Sequence, residues 1–132
     1  MDQQANKVFR RIFARLKPPP EMNMSDWADA YRQLSQGASA EPGRWRTEKA
    51  PHQREMMNAI SDIKIKKVVV MSSAQIGKTE GPILNTIGYF MHYDPAPVLV
   101  MQPTIQMAEA FSKDRLSKML QDTPISVSYT HL

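Results

Sequence analysis

The residues with the clearest chemical potential stand together at Ser72-Ser73-Ala74-Gln75-Ile76-Gly77-Lys78-Thr79. Gly77, Lys78 and Thr79 match the last three positions of the phosphate-cradling pattern G-x-x-x-x-G-K-[ST], and Ser72 stands where the first glycine is usual. Each residue type has a physical task. A glycine lets the backbone curl so that successive N–H groups converge on an anion, and the N-terminus of the following helix adds partial positive charge. Lys78 is expected to reach the β- and γ-phosphates of a nucleotide, and the Thr79 hydroxyl to ligate a phosphate-bound Mg²⁺. Serine at position 72 serves where it can hold the loop conformation, at a higher cost than glycine wherever φ is positive. The plainer alternative is a capped turn that binds nothing.

Such a turn works between a buried strand and a helix, and the flanking sequence predicts both. Residues 68–71, Val-Val-Val-Met, form a continuous apolar run rich in β-branched residues, which reads as a strand buried on both faces of a parallel sheet. Beyond the turn, Ile83, Leu84, Ile87, Tyr89, Phe90 and Met91 recur at helical spacing, with Pro82 placed to kink the helix early. Asp94-Pro95-Ala96-Pro97 then turns the chain into a second apolar run at 98–101, and Thr104 caps a helix carrying Met107, Phe111, Leu116, Met119 and Leu120. Strand, helix, strand, helix predicts an α/β fold: an incomplete P-loop ATPase fold of parallel β-strands with flanking helices and a right-handed crossover, spanning residues 51–124.

Upstream lie a linker, a short helix and a loop at 18–50. Ser25 reads as an N-cap, Asp26 and Asp29 suit the first turns, and Trp27, Tyr31 and Leu34 recur at helical spacing. Gly37, Pro42 and Gly43 predict a loop over 35–50. Pro51 suits a first helical position, and Met56, Ala59, Ile60 and Ile63 make one stripe of the helix that follows, its methionines serving as core filler. At the start, residues 3–16 read as an amphipathic helix with Val8, Phe9, Ile12, Phe13 and Leu16 on one face and Lys7, Arg10 and Arg11 on the other. Pro18-Pro19-Pro20 ends this helical arm as a stiff spacer.

Charge follows the same division. Of 17 Lys+Arg and 13 Asp+Glu, residues 1–17 hold five cations against Asp2 alone, so the net charge of +4 belongs to the arm and the rest of the chain is balanced. Zero cysteines exclude disulfides, thiolate catalysis and cysteine-ligated zinc. No apolar run approaches the roughly 20 residues needed to cross a bilayer, and the start lacks the pattern of a secretory signal. An intracellular protein is the expectation.

The stretches S-D-W-A-D-A-Y-R-Q-L-S from Ser25, P-G-R-W-R-T-E-K-A-P-H-Q-R-E-M-M from Pro42, V-V-V-M-S-S-A-Q-I-G-K-T-E from Val68, I-G-Y-F-M-H-Y-D-P-A-P-V-L-V-M-Q-P-T from Ile87 and A-E-A-F-S-K-D-R-L from Ala108 carry a wider resemblance. Together they are similar to the N-terminal part of the lambda-type (GpA) large terminase subunit of tailed bacteriophages. The resemblance implies a two-part machine, an ATPase that drives viral DNA into a procapsid and a metal-dependent endonuclease, using ATP and Mg²⁺ in the host cytoplasm. It implies double-stranded DNA, the portal or procapsid and the small terminase subunit as partners in an oligomeric motor. The arm at 3–16 would dock that small subunit.

Position by position, the resemblance assigns Gln75, Gly77, Lys78 and Thr79 to the phosphate loop. It puts Gln53, 25 residues before Lys78, where such ATPases place a glutamine that reads adenine; the other reading is a solvent-facing helix glutamine. Residues 98–104 resemble the segment whose Pro-Thr turn approaches DNA, although Thr104 needs no role beyond its cap. Trp27, Tyr31 and Trp45 need none beyond packing. Lys113 and Arg115 either meet DNA phosphates or line a solvated helix face.

Departures from the family pattern matter equally. Hydrolysis in this class requires a Walker B carboxylate at the end of another strand and a glutamate that activates water. The two expected strands end in Ser72 and Gln102, and no two acidic residues are adjacent. No carboxylate cluster suits a two-metal nuclease. Many relatives carry an arginine within the loop where this chain has Ala74, so an arginine from elsewhere would have to serve. Residues 125–132 do not continue the pattern and read as a truncation or scar. The expectation is therefore part of a packaging motor, inactive alone. The alternatives are part of another P-loop helicase or translocase, or a non-enzymatic DNA-binding or adaptor module.

Overall fold

Helix α1 (Met24–Tyr31) starts from Asn23 and not from the expected Ser25. Asn23 takes an extended backbone conformation, whereas Ser25 lies inside the helix, 1% exposed, with its N–H donating to Asn58 Oδ1 at 3.2 Å. These positions come from a computed structural model that describes residues 21–34, 36 and 41–123. The arm expected at 3–16 and the tail at 125–132 lie outside the described residues.

After α1 the chain turns extended at Arg32 and forms strand β1 (Gln33–Leu34), which pairs antiparallel with β2 (Gly43–Arg44) in the register Gln33 opposite Arg44 and Leu34 opposite Gly43. The segment predicted as a loop over 35–50 thus contains the second strand of this ladder and a 3₁₀ turn at Thr47–Lys49. Pro51 opens helix α2 (Pro51–Ser61) at its first turn, as its fixed φ and missing N–H favour. The buried stripe of α2 runs through Gln53 and Met57. That corrects the expected face: Met56, Ala59 and Ile60 are half-buried and Ile63 is exposed. One glutamine displaces the apolar pattern, because α2 packs this polar side chain inward against the turn at 72–79.

Pro82 widens the first turn of the next helix. Lacking an N–H, Pro82 leaves the Lys78 carbonyl without its ordinary donor four residues on, and the Ile83 N–H takes it at 3.2 Å instead. The result is a π-helical turn at Thr79–Ile83 running directly into helix α3 (Leu84–His92). A last helical run follows as α4 (Ile105–Ala110), a π-helical stretch (Phe111–Leu116) and α5 (Ser117–Asp122). Thr104 caps it as expected, its Oγ1 accepting from the Met107 N–H at 3.2 Å.

Two apolar clusters hold these elements. Met24, Trp27 and Ala28 of α1 pack with Trp45, Met57 of α2 and Tyr89 of α3. Trp27 is fully buried, meets Tyr89 edge-on at 6.3 Å between ring centroids, and donates its indole N–H to His92 Nδ1 at 3.0 Å. Burying side chains of this size contributes roughly 1.5–3 kcal/mol each, so Trp27, Met57 and Tyr89, one from each of the first three helices, tie those helices together. The second cluster joins Leu84 and Ile87 of α3 to Met119 of α5. The packing roles expected for Trp27 and Trp45 are met, while Tyr31 lies at the margin, 37% exposed.

The expected parallel sheet does not form among the described residues. Residues 68–71 and 98–101 belong to no ladder, and Val69, Met71, Leu99 and Met101 are 77%, 99%, 84% and 81% exposed. A strand is defined by its hydrogen-bonded neighbours, and here neither run has one. Among the described residues no helix is long and apolar enough to cross a membrane.

Candidate functional site

The turn at 72–79 enters the helix through two positive-φ residues, Gln75 (61°) and Gly77 (77°). At Gly77 the sign of φ explains the residue type, since glycine occupies that region without the Cβ penalty. Gln75 takes the same region as a non-glycine, a strained conformation that concentrates at functional turns. The first hydrogen bond of the helix runs from the Gly81 N–H to the Gly77 carbonyl at 2.9 Å. The N–H groups of Lys78, Thr79 and Glu80 precede that ladder and stand at the helix N-terminus, where partial positive charge accumulates. Lys78 Nζ donates to the Ser73 carbonyl at 3.3 Å, which keeps the ammonium over its own loop.

Helix α2 supports the turn from behind. Gln53 is 3% exposed, so it is not a solvent-facing helix glutamine. Its Nε2 donates to the Ile76 carbonyl at 2.8 Å, and His52 Nε2 lies 3.3 Å from the same oxygen. Gln53 Oε1 is buried with no hydrogen-bond partner. It presses on Gly81, where a Cβ would lie 1.8 Å from it. A Cβ added there would have to displace the end of the Gln53 side chain.

A second support escaped the sequence reading. Arg32, at the end of α1, is 1% exposed. Its Nη2 contacts Glu80 Oε2 at 2.9 Å, its Nε donates to Asn85 Oδ1 at 3.2 Å, and its Nη1 donates to the Gln33 carbonyl. Burial pulls the Arg32 guanidinium below its ordinary pKa while Glu80 and Asp122 act the other way. Arg115, from the π-helical stretch, reaches the other oxygen of Glu80 at 3.3 Å. Glu80, the residue after Thr79, is therefore shared by two arginines. Its place beside Thr79 was visible in the sequence, but its partners lie 48 and 35 positions away.

The turn stands between two clefts. One, of about 770 Å³, is lined by Gln53, Gly77 and Glu80 together with Arg44, Trp45 and Lys49. The second, of about 630 Å³, includes Lys78, Thr79, Gln102, Asp114, Arg115 and Lys118. Of the residues singled out in the sequence, Lys78 and Thr79 thus share a cleft, Gly77 and Gln53 share the other, and Ser73, Ala74 and Gln75 are exposed on the loop between Ser72 and Ile76, both half-buried. Trp27 and Tyr31 line neither of these two clefts. Lys113 pairs with Glu109 at 3.7 Å on an exposed face.

Residues 39–129 match the family described as "Phage terminase large subunit gpA, ATPase domain". The chain belongs to this family. It is 30% identical over 126 residues to the terminase large subunit of Escherichia phage lambda, which covers 93% of this chain and 19% of that relative. It is 31% identical over 120 residues to the terminase large subunit of Enterobacteria phage P21, covering 91% of this chain and 18% of that protein. The chain therefore spans about a fifth of the length of these curated relatives. No solved structure matches it significantly. The gpA ATPase match includes the whole turn at 72–79, Gln53, Glu80 and Arg115, but only the last part of the 18–50 segment.

Proposed function

We propose that the chain carries the nucleotide-binding part of a viral DNA-packaging motor, in which ATP hydrolysis by the whole large subunit moves double-stranded DNA into a procapsid. The observation that carries this reading is the coincidence of a matching gpA ATPase family with a strained, glycine-bearing turn that opens a helix at Lys78-Thr79. The donor set suits a magnesium-bound triphosphate: N–H groups at a helix N-terminus, an ammonium on the loop, and a hydroxyl at position 79. Bound ATP would supply a phosphoanhydride whose hydrolysis releases energy. Lys78 would leave the Ser73 carbonyl to neutralise phosphate charge, and Thr79 Oγ1 would hold the Mg²⁺. Gln53 fixes the turn by holding the Ile76 carbonyl. An adenine contact from Gln53 belongs to the same proposal and requires its amide to exchange that carbonyl for the base edge.

In this reading, residues 68–71 and 98–101 are strands of a parallel P-loop sheet completed by neighbours elsewhere in the large subunit. The endonuclease, the small subunit docked on 3–16, the portal, and the bacterial cytoplasm as the place of action are parts of the same proposal. The test is titration of the complete large subunit with a fluorescent ATP analogue and Mg²⁺, in the original sequence and with Lys78→Ala. Saturable binding weakened at least about tenfold by Lys78→Ala is expected, the loss of one charged phosphate contact. Equal binding by both, or none by either, would refute the phosphate site. The 132-residue chain alone should hydrolyse ATP negligibly, since it offers no Walker B carboxylate; robust turnover abolished by Lys78→Ala would overturn that expectation.

A further inference from the structure

We propose that Arg115 is a phosphate-contacting arginine of this site, acting within its own chain, which exchanges Glu80 for the terminal phosphate of the bound nucleotide. The proposal rests on the phosphate reading of Lys78 and Thr79. Arg115 lines the same cleft of about 630 Å³ as those two residues. Its carboxylate partner, Glu80, directly follows Thr79 in the chain, so the ion pair ties Arg115 to the same helical turn that carries Thr79.

The two arginines on Glu80 are not equivalent. Arg32 contacts it at 2.9 Å with a side chain 1% exposed, whereas Arg115 contacts it at 3.3 Å with a side chain 49% exposed. If Arg115 departs, Glu80 keeps a buried cation and no charge is stranded. The departure is therefore inexpensive, because an exposed ion pair contributes little. Arg32, locked by Asn85 and the Gln33 carbonyl as well, stays. The shared cleft presents three cations, Lys78, Arg115 and Lys118, against one carboxylate, Asp114. That balance favours a polyanion. A guanidinium adds what the lysines lack, a planar fork that meets two phosphate oxygens at once. The loop itself holds no arginine between Ser72 and Thr79. Arg115 also sits within the π-helical stretch Phe111–Leu116, a local widening that recurs at functional positions.

The experiment uses the complete large subunit with Arg115→Ala, Arg115→Lys and Lys78→Ala, measuring steady-state ATP hydrolysis and the binding of ADP with and without aluminium fluoride. Arg115→Ala is expected to bind ADP within about threefold of the original protein, to lose the tightening that aluminium fluoride confers, and to lower kcat about 10²- to 10³-fold, as removal of one transition-state donor does. Arg115→Lys keeps the ion pair with Glu80 and the fold, and is expected to remain slow for want of the fork. If Lys78→Ala abolishes binding while both Arg115 variants match the original protein in kcat and in the aluminium fluoride effect, the arginine proposal falls and the phosphate site stands. Equal weakening of ADP with and without aluminium fluoride would also overturn it, since the contact would then not be with the terminal phosphate. Loss of phosphate binding in none of the variants would remove the reading on which the proposal rests.

Discussion

Three side chains decide how the turn at 72–79 is held: Gln53, Arg32 and Glu80. Gln53 Oε1 packs against Gly81 so tightly that Gly81→Ala must displace it. We expect Gly81→Ala to cost about 1–3 kcal/mol, as overpacking does, and Gln53→Ala to relieve most of that cost in the double variant. A double-mutant cycle by urea unfolding measures this; strictly additive effects would place the Gln53 amide elsewhere. The two arginines on Glu80 separate in the same way. Replacing buried Arg32 by methionine should destabilise the fold by roughly 3 kcal/mol, because a buried cation and three hydrogen bonds are lost. Arg115→Ala, at an exposed pair, should cost less than about 1 kcal/mol. Comparable costs for the two would contradict the assignment of Arg32 as the fixed partner. None of this was legible in the sequence except the tight backbone curl at Gly77. Glu80 adjoins Thr79, but nothing in the chain signals that Arg32 comes back to meet it.

Helices α1 and α3 meet through an aromatic cluster whose hydrogen bond sets a pH dependence. His92 Nδ1 accepts from the Trp27 N–H, a bond that requires an unprotonated nitrogen. Burial lowers the His92 pKa from its ordinary 6.5. Above that value His92 is neutral in both the folded and the unfolded chain and contributes no pH dependence. As the pH falls below it, the unfolded chain takes up the proton first, so stability drops until the lowered folded value is passed. Tm should therefore fall as the pH is lowered through about 6.5, and His92→Asn, which keeps an acceptor but cannot titrate, should lessen that fall. An identical pH profile for the variant would exclude His92 as its source. Within the last helical run, Thr104→Ala should cost about 1 kcal/mol by removing the N-cap, read as a lower unfolding midpoint. Here the sequence was informative, because a cap and the residue it bonds lie three positions apart and need no tertiary partner. The start of α1 was less so: Ser25 has the chemistry of a cap, yet its N–H is taken by Asn58 of another helix.

The whole molecule leaves two apolar runs at its surface, with Met71 99% and Leu99 84% exposed. Contiguous apolar surface of this kind marks a place where other structure belongs. The proposal that both runs are sheet strands in the complete large subunit makes opposite predictions in two settings. In the 132-residue chain, Met71→Lys with Leu99→Lys should reduce concentration-dependent association seen by sedimentation. In the complete subunit the same pair should lower Tm by several degrees, because the lysines would then be forced inward. An unchanged Tm there would reject the strand reading. The tight turn at Gly77, the helix opened by Pro51 and the cap at Thr104 follow from residue type and short spacing, because the groups that interact are neighbours along the chain. The inward turn of Gln53, the widening at Pro82, the pairing of Arg32 and Arg115 on Glu80, and the absence of a parallel sheet among the described residues do not. Each of these depends on which distant surfaces are available to pack or to pair, and short-range patterns carry no record of that.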